Sequence, residues 1–396
     1  MDLSNARVST RIRRGTVAVV VTAISLLTFS VPSATALTTP ASTLTSSWLA
    51  AQVASDGSVN IPGETFSVTT QTMYVADGLA ASGQNRDALT RAMGYIATHV
   101  DEWVVNDGSG STVAPIGSDL PERLGELILL VHTVGGDPTH FGTPATNLVA
   151  RTQALYGISV PDFYGWQEPY SAVQDQGLVI MALNTVGASA PAAAAAWIVD
   201  QQCTGGADDP ASIGGWMSFR PTTNGVLDPC TAPDPINYTG ADTNSTAFAI
   251  QALVNAQNAA AVPAGLAFLH QAQSTSGPQA GGFPWFTGGD ADPNSTALVI
   301  QALLAAGESP TGSYWTVGGQ SPSSILPSWQ LTTPATDAGS FYASWQPGVP
   351  SLLATYQGLW GLTLTAFPFP VLTPESPAVD PTVPVVAPDL VPTFTG

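Results

Sequence analysis

Residues 281–307 run from a glycine-aromatic loop, Gly281-Gly282-Phe283, through an Asp292-Pro293-Asn294-Ser295-Thr296 helix start into an Ala/Leu-rich stretch that stops at Gly307. Relatives of this run recur along the chain in the same phase. Such self-similarity restricts a fold more tightly than any single motif, because each unit must bury its apolar face against the next. The in-phase segments are 71–83, 123–135, 175–187, 245–253, 295–307 and 351–360. They are apolar on nearly every side, which predicts helices buried all round and not surface helices with one apolar stripe. More amphipathic segments alternate with them, starting near Thr43, Arg86, Thr143, Pro191, Pro263 and Pro322.

Six buried helices alternating with six outer ones predict an all-α fold, an α6/α6 toroid in which six helical hairpins close into a barrel. Closure lets every inner helix bury its whole circumference. Successive inner segments start about fifty residues apart, except for about seventy between the third and fourth. The extra length holds Cys203 and Cys230, the two cysteines of the chain, and a single disulfide stapling that loop is the natural reading.

The N-terminus supplies the compartment. Arg7, Arg11, Arg13 and Arg14 precede an apolar run from Val17 to Phe29 and an Ala34-Thr35-Ala36 site, the order of a secretory signal peptide covering residues 1–36. The toroid is then expected over 37–367 and a Pro-rich, disordered tail over 368–396. Cleavage would remove four of the nine basic residues, all arginine, and one acid, taking the net charge from −19 to about −22. A surface of that sign repels phosphate backbones and anionic lipid, which excludes nucleic-acid binding and membrane insertion after cleavage. The expected localisation is extracellular.

Several outer segments end in an aromatic or apolar pair followed by Gln: Trp48-Leu49 with Gln52, Trp197-Ile198 with Gln202, and Phe268-Leu269 with Gln273. With Gly265 and the Gly281-Gly282-Phe283 run, or Ala194 and Gly214-Gly215-Trp216, they resemble the QW repeats of the terpenoid cyclase and protein prenyltransferase superfamily. Gly339-Ser340-Phe341 is a partial third match. The resemblance covers about residues 40–366 and implies a toroid in which Gln202 and Gln273 are fold residues.

The chemistry of that superfamily's branches is harder to place. Its cyclases use an Asp-x-Asp-Asp acid, whereas Asp290-Ala291-Asp292-Pro293 has Pro in the motif and stands where Asp292 reads as a helix N-cap, as Asp242 does one repeat earlier. Prenyltransferases need a zinc set and basic residues, but His99, His132, His140 and His270 fall in scattered phases. The Gly-Cys-Gly-Glu-Gln thioester motif is missing. A carbohydrate-cleaving toroid needs paired carboxylates, and Asp77, Glu122 and Glu126 could meet in the lumen. Secretion, acidity and the six-hairpin count resemble the cobalamin carriers, intrinsic factor and transcobalamin, though without their second domain. No catalytic residue, cofactor or metal ligand is assigned.

The site expected from the sequence is a binding mouth. Phe163-Tyr164-Gly165-Trp166 with Tyr170, Trp216 to Phe219, Phe283 to Phe286, and Phe341-Tyr342 with Trp345 share one phase in the loops before the inner helices. Tyr164, Trp166, Phe219, Trp285, Phe286, Tyr342 and Trp345 are the expected ligand contacts. Asp77, Gln251 and Gln301 align at one level and could present polar groups to the lumen. The expected function is non-catalytic binding of an unidentified small molecule, a corrinoid or another bulky apolar ligand. An atypical isoprenoid-processing enzyme and a scaffold for a partner protein are the alternatives.

Overall fold

The computed structural model describes residues 36–109, 113–167 and 172–373. The expected leader, Tyr170 and residues 374–396 of the expected tail lie outside them. In chain order the helices are α1 (Pro40–Ala51), α2 (Val68–Ser82), α3 (Arg86–Thr98), α4 (Val100–Val104), α5 (Pro121–Thr133), α6 (Leu148–Gln153) and α7 (Ala172–Thr185). They continue as α8 (Ala192–Asp200), α9 (Thr243–Asn255), α10 (Val262–Ala272), α11 (Pro293–Ala305), α12 (Pro322–Ile325) and α13 (Leu352–Leu362). The inner ring is α2, α5, α7, α9, α11 and α13, each packed on its neighbours, with α13 closing on α2. Outside stand α1, α3 with α4, α6, α8, α10 and α12, the last continued by a 3-10 turn over Leu326–Trp329.

Ring closure explains why the inner helices lack a polar face. Met73, Leu79, Leu127, Ile180, Ile250, Ile300 and Leu359 are all buried, and so are their neighbours on the opposite sides of the same helices. The ring packs least between α2 and α5, and there Trp103 of α4 bridges. Its ring meets Tyr74 edge-on at 6.2 Å, its Nε1 donates to the Arg123 carbonyl at 2.9 Å, and the Arg123 guanidinium lies 4.9 Å over it.

Two repeated devices join the layers. Gln202 Nε2 donates to the carbonyls of Gly214 (2.8 Å) and Ala261 (3.0 Å), tying its own glycine loop to the next outer helix. Gln273 does the same with Gly281 (2.9 Å) and Trp315 (2.8 Å), so both are fold residues as the repeat implies. Gln330 completes the circle by donating to the Ala41 carbonyl at 2.9 Å and the Thr45 hydroxyl at 2.6 Å, joining the last repeat to the first. In the second device the first aromatic of a loop donates its N–H to a threonine one turn into an inner helix. Trp216 uses Thr246, Phe283 uses Thr296 and Phe341 uses Thr355, at 3.1, 2.9 and 2.9 Å.

The long loop before α9 carries the Cys203–Cys230 disulfide. It also adds what an all-α reading omits, two short antiparallel ribbons: β1 (Trp216–Met217) with β4 (Ala241–Asp242), and β2 (Thr222–Thr223) with β3 (Val226–Leu227). The packed chain also runs past residue 367. Phe367 and Phe369 are buried against Trp360, with ring centroids 5.1 and 6.1 Å away, and Leu372 donates its N–H to the Thr133 carbonyl at 2.7 Å. Apolar aromatics decide this, because leaving two phenylalanines in water costs more than ordering a few residues.

Candidate functional site

The six long loops all precede inner helices and so gather at one mouth of the ring. At the other end residues 364–373 cross the C-termini of the inner helices, and the Phe367 N–H donates to Gln251 Oε1 at 3.2 Å. Gln251 therefore belongs to the floor of the lumen. Its level-mate Gln301 is wholly buried, with neither amide atom paired among the described residues.

On the loop side the rim is partly aromatic. Trp345 is 66% exposed and Trp285 36%, while Trp166, Phe219 and Tyr342 are partly exposed. Trp285 is held in place, its Nε1 donating to Asp242 Oδ1 at 3.2 Å and its ring 5.3 Å from that of Tyr238. Tyr164 and Phe286 are buried and pack beneath the rim. Burial of apolar rings holds them there, as it does Phe163 and Phe283.

Between the loop ends and this floor lies a cluster of buried aromatic and ionisable side chains. Tyr74 of α2 and Tyr356 of α13 stack at 4.5 Å with 12° between planes, and Tyr356 meets Trp360 edge-on at 4.9 Å. Gln357 donates to the Tyr356 hydroxyl at 3.2 Å and accepts from Asn294 Nδ2 at 2.9 Å. Asp77 lies one turn beyond Tyr74, buried, with Oδ2 unpaired among the described residues. Burial pushes its carboxyl well above the usual range, and the nearby Glu126 charge pushes it further. Glu126, partly exposed on α5, is raised from 4.5 to about 7, first by burial, against the opposing charge of Arg123 and with the support of Glu122. Both tyrosine hydroxyls are raised too, by burial and then by charges that include Glu126. Glu126 thus lies within electrostatic reach of both Asp77 and Glu122. Nothing within one repeat brings these three carboxyls together, since α2 and α5 face each other only once the ring is closed.

The two capping aspartates are accounted for. Asp242 Oδ1 accepts from the Ser245 N–H at 2.8 Å and Asp292 Oδ1 from that of Ser295 at 2.9 Å. Burial raises each to about 6 although these hydrogen bonds oppose it. Asp290 is exposed. His99 stacks on Tyr95 and His270 on Tyr314, and the described residues hold no group of three side chains placed for a metal.

The sequence matches no family model and no curated protein. Solved structures do resemble it. An unsaturated glucuronyl hydrolase specific for heparin is 13% identical over 82% of this chain and 95% of its own, with a TM-score of 0.52. The GH76A α-1,6-mannanase of Salegentibacter sp. HEL1_6 is 11% identical over 81% and 97%, TM-score 0.52. The type II terpene cyclase MstE of Scytonema is 11% identical over 82% and 96%, TM-score 0.51. The chain has the α/α-toroid fold. At such identities the likeness is one of architecture, and the toroid's activity has to be argued from its own side chains.

Proposed function

We propose that this toroid is an extracellular hydrolase of neutral glycosides, with Glu126 as the proton donor at the base of the loop-side mouth. The observation that carries this is that Glu126 lies within electrostatic reach of Asp77, Glu122 and the stacked Tyr74 and Tyr356. Glycoside cleavage needs one carboxyl that is still protonated near neutral pH and a second that is ionised. Glu126 at about 7 suits the first role, and Glu122, one turn nearer the mouth, is the carboxylate able to activate water. Burial, then the Glu126 charge, raises the Asp77 carboxyl well above its usual range, which disfavours a second negative charge beside Glu126. An acid this weak suits a leaving-group oxygen and is poorly matched to an alkene, so the cyclase alternative is less well served. Two of the similar structures bear hydrolase names, and the disulfide is in keeping with an oxidising compartment. Among the described residues no helix is long and apolar enough to cross a membrane.

The exposed Trp285 and Trp345 favour a second reading, non-catalytic capture of a bulky apolar ligand such as a corrinoid at the rim. A panel of aryl glycosides and neutral oligosaccharides, assayed for turnover and for thermal stabilisation beside a corrinoid, separates the two. Under the hydrolase reading, Glu126→Gln lowers kcat at least about a hundredfold with the fold intact. Stabilisation by the corrinoid without turnover of any glycoside would favour the rim.

A further inference from the structure

Two exposed aromatics from neighbouring loops are fixed in place by the chain itself. Tyr238 is 53% exposed and Trp285 36%, with ring centroids 5.3 Å apart and 36° between planes. Phe286 is buried against both, its centroid 6.0 Å from that of Tyr238 and 5.1 Å from that of Trp285. The Trp285 carbonyl accepts from the Thr243 N–H at 2.9 Å and the Pro284 carbonyl from the Thr243 hydroxyl at 2.7 Å, while the indole N–H is held by Asp242, itself bound to Ser245. Tyr238 stands on a turn that Asp234 organises. Asp234 Oδ1 accepts from the N–H groups of Ile236 and Asn237 at 2.8 and 3.1 Å, and the Asp234 carbonyl accepts from that of Tyr238 at 2.9 Å. The two loops touch, since a Cβ on Gly289 would stand 3.4 Å from that of Pro235. Rings left in water yet already ordered form a preorganised contact surface, because little freedom remains to be lost on binding.

The surroundings select what such a surface accepts. No lysine or arginine follows Arg220, and residues 221–292 carry five aspartates, so phosphate, sulfate and uronate groups are repelled. Exposed Asn237 and partly exposed Asn244 stand beside the rings in sequence, and a wholly apolar ligand would leave such amides unpaired. An uncharged pyranose satisfies both demands. Its C–H bonds meet the electron-rich faces of the rings and its hydroxyls pair with the amides.

We infer that Tyr238 and Trp285 form a stacking platform for one sugar of a neutral oligosaccharide, several units along the chain from the bond placed at Glu126. The several-unit span rests on the hydrolase reading above. Helix α7 stands between α5, which carries Glu126, and α9, to whose start Trp285 is tied. With packed helices about 8–10 Å apart, two steps around the ring amount to on the order of 15 Å, which a single sugar cannot span. The substrate class is therefore a glycan chain and not a monosaccharide glycoside.

Calorimetric titration of full-length Glu126→Gln with cello-, xylo- and manno-oligosaccharides, from disaccharide to hexasaccharide, tests this without turnover. For at least one series Kd is expected to fall about tenfold as the chain lengthens. Tyr238→Ala, added to that protein, should abolish the gain, and Tyr238→Phe, which keeps the ring, should retain it. Thermal unfolding of both variants checks that the exposed position leaves the fold intact. Chain-length-dependent binding that needs the Tyr238 ring supports the platform even if the unaltered protein cleaves no glycoside, in which case the hydrolase reading alone fails. Turnover of aryl monoglycosides with an affinity indifferent to chain length keeps the hydrolase reading and overturns the platform. Binding of no oligosaccharide, or a gain that survives Tyr238→Ala, overturns it as well.

Discussion

Glu126 lies one helical turn below Glu122 on α5, and its proton affinity links the site to stability. Its folded pKa, about 7, stands above its ordinary 4.5, so between those values the folded state binds more protons than the unfolded one. The contribution is fully present below about pH 4.5 and is lost as pH rises through about 7, with Asp77 acting in the same direction. Unfolding free energy should therefore fall between pH 5 and pH 8. Glu126→Gln should recover on the order of 1–3 kcal/mol at pH 8, the upper figure reduced because the carboxyl is partly exposed. Denaturant titrations at the two pH values read this, and a flat profile would remove the coupling. At Asp292 the chemistry is local. Asp292→Ala should cost about 1 kcal/mol through loss of the α11 cap, whereas Asp292→Asn keeps the cap and should leave stability at pH 8 undiminished. That capping role was readable from the Asp-Pro-Asn-Ser order, because its partner Ser295 is three residues away. The fate of Gln251 was not, because its partner Phe367 is 116 residues on.

The repeated elements depend on backbone that only glycine tolerates. Gly281 sits at φ +90°, and a Cβ there would run into the Gln320 carbonyl; Gly214, at +89°, would meet that of Ala264. Each glycine loop therefore lies directly on the start of the next outer helix, which is the contact that the bridging glutamines secure. Gly281→Ala is expected to destabilise by about 2–3 kcal/mol, from strain and displacement together. Gln330→Ala should cost on the order of 1–3 kcal/mol, since Ala41 and Thr45 then lose the donor that joins last repeat to first. Thermal unfolding of the two variants measures both, and an unchanged Tm for Gln330→Ala would show that packing alone closes the ring. Gln202 and Gln273 were legible because their motifs are intact. Gln330 was not, because its helix has shrunk to the four residues of α12 and a 3-10 turn.

On the scale of the whole molecule, a ring of parallel inner helices has two ends, and this chain treats them differently. The loops before the inner helices gather at one, and residues 364–373 cross the other. Phe367→Ala should cost about 3–5 kcal/mol if the floor is part of the core, as its burial against Trp360 requires. Reducing the disulfide should release about 3–4 kcal/mol of loop constraint, because 27 positions separate the two cysteines, and calorimetry with and without reductant compares the two states. The sequence by itself determined the six-fold alternation, the buried inner helices, the capping aspartates and the structural glutamines, since each follows from periodicity or from partners a few residues apart. Which loop aromatics stay exposed, that residues 364–373 cross the C-terminal ends of the inner helices, and that Glu126 comes within reach of Asp77 were settled by tertiary packing. Those outcomes depend on which helices become neighbours when the ring closes, and the pattern within a single repeat carries no record of that.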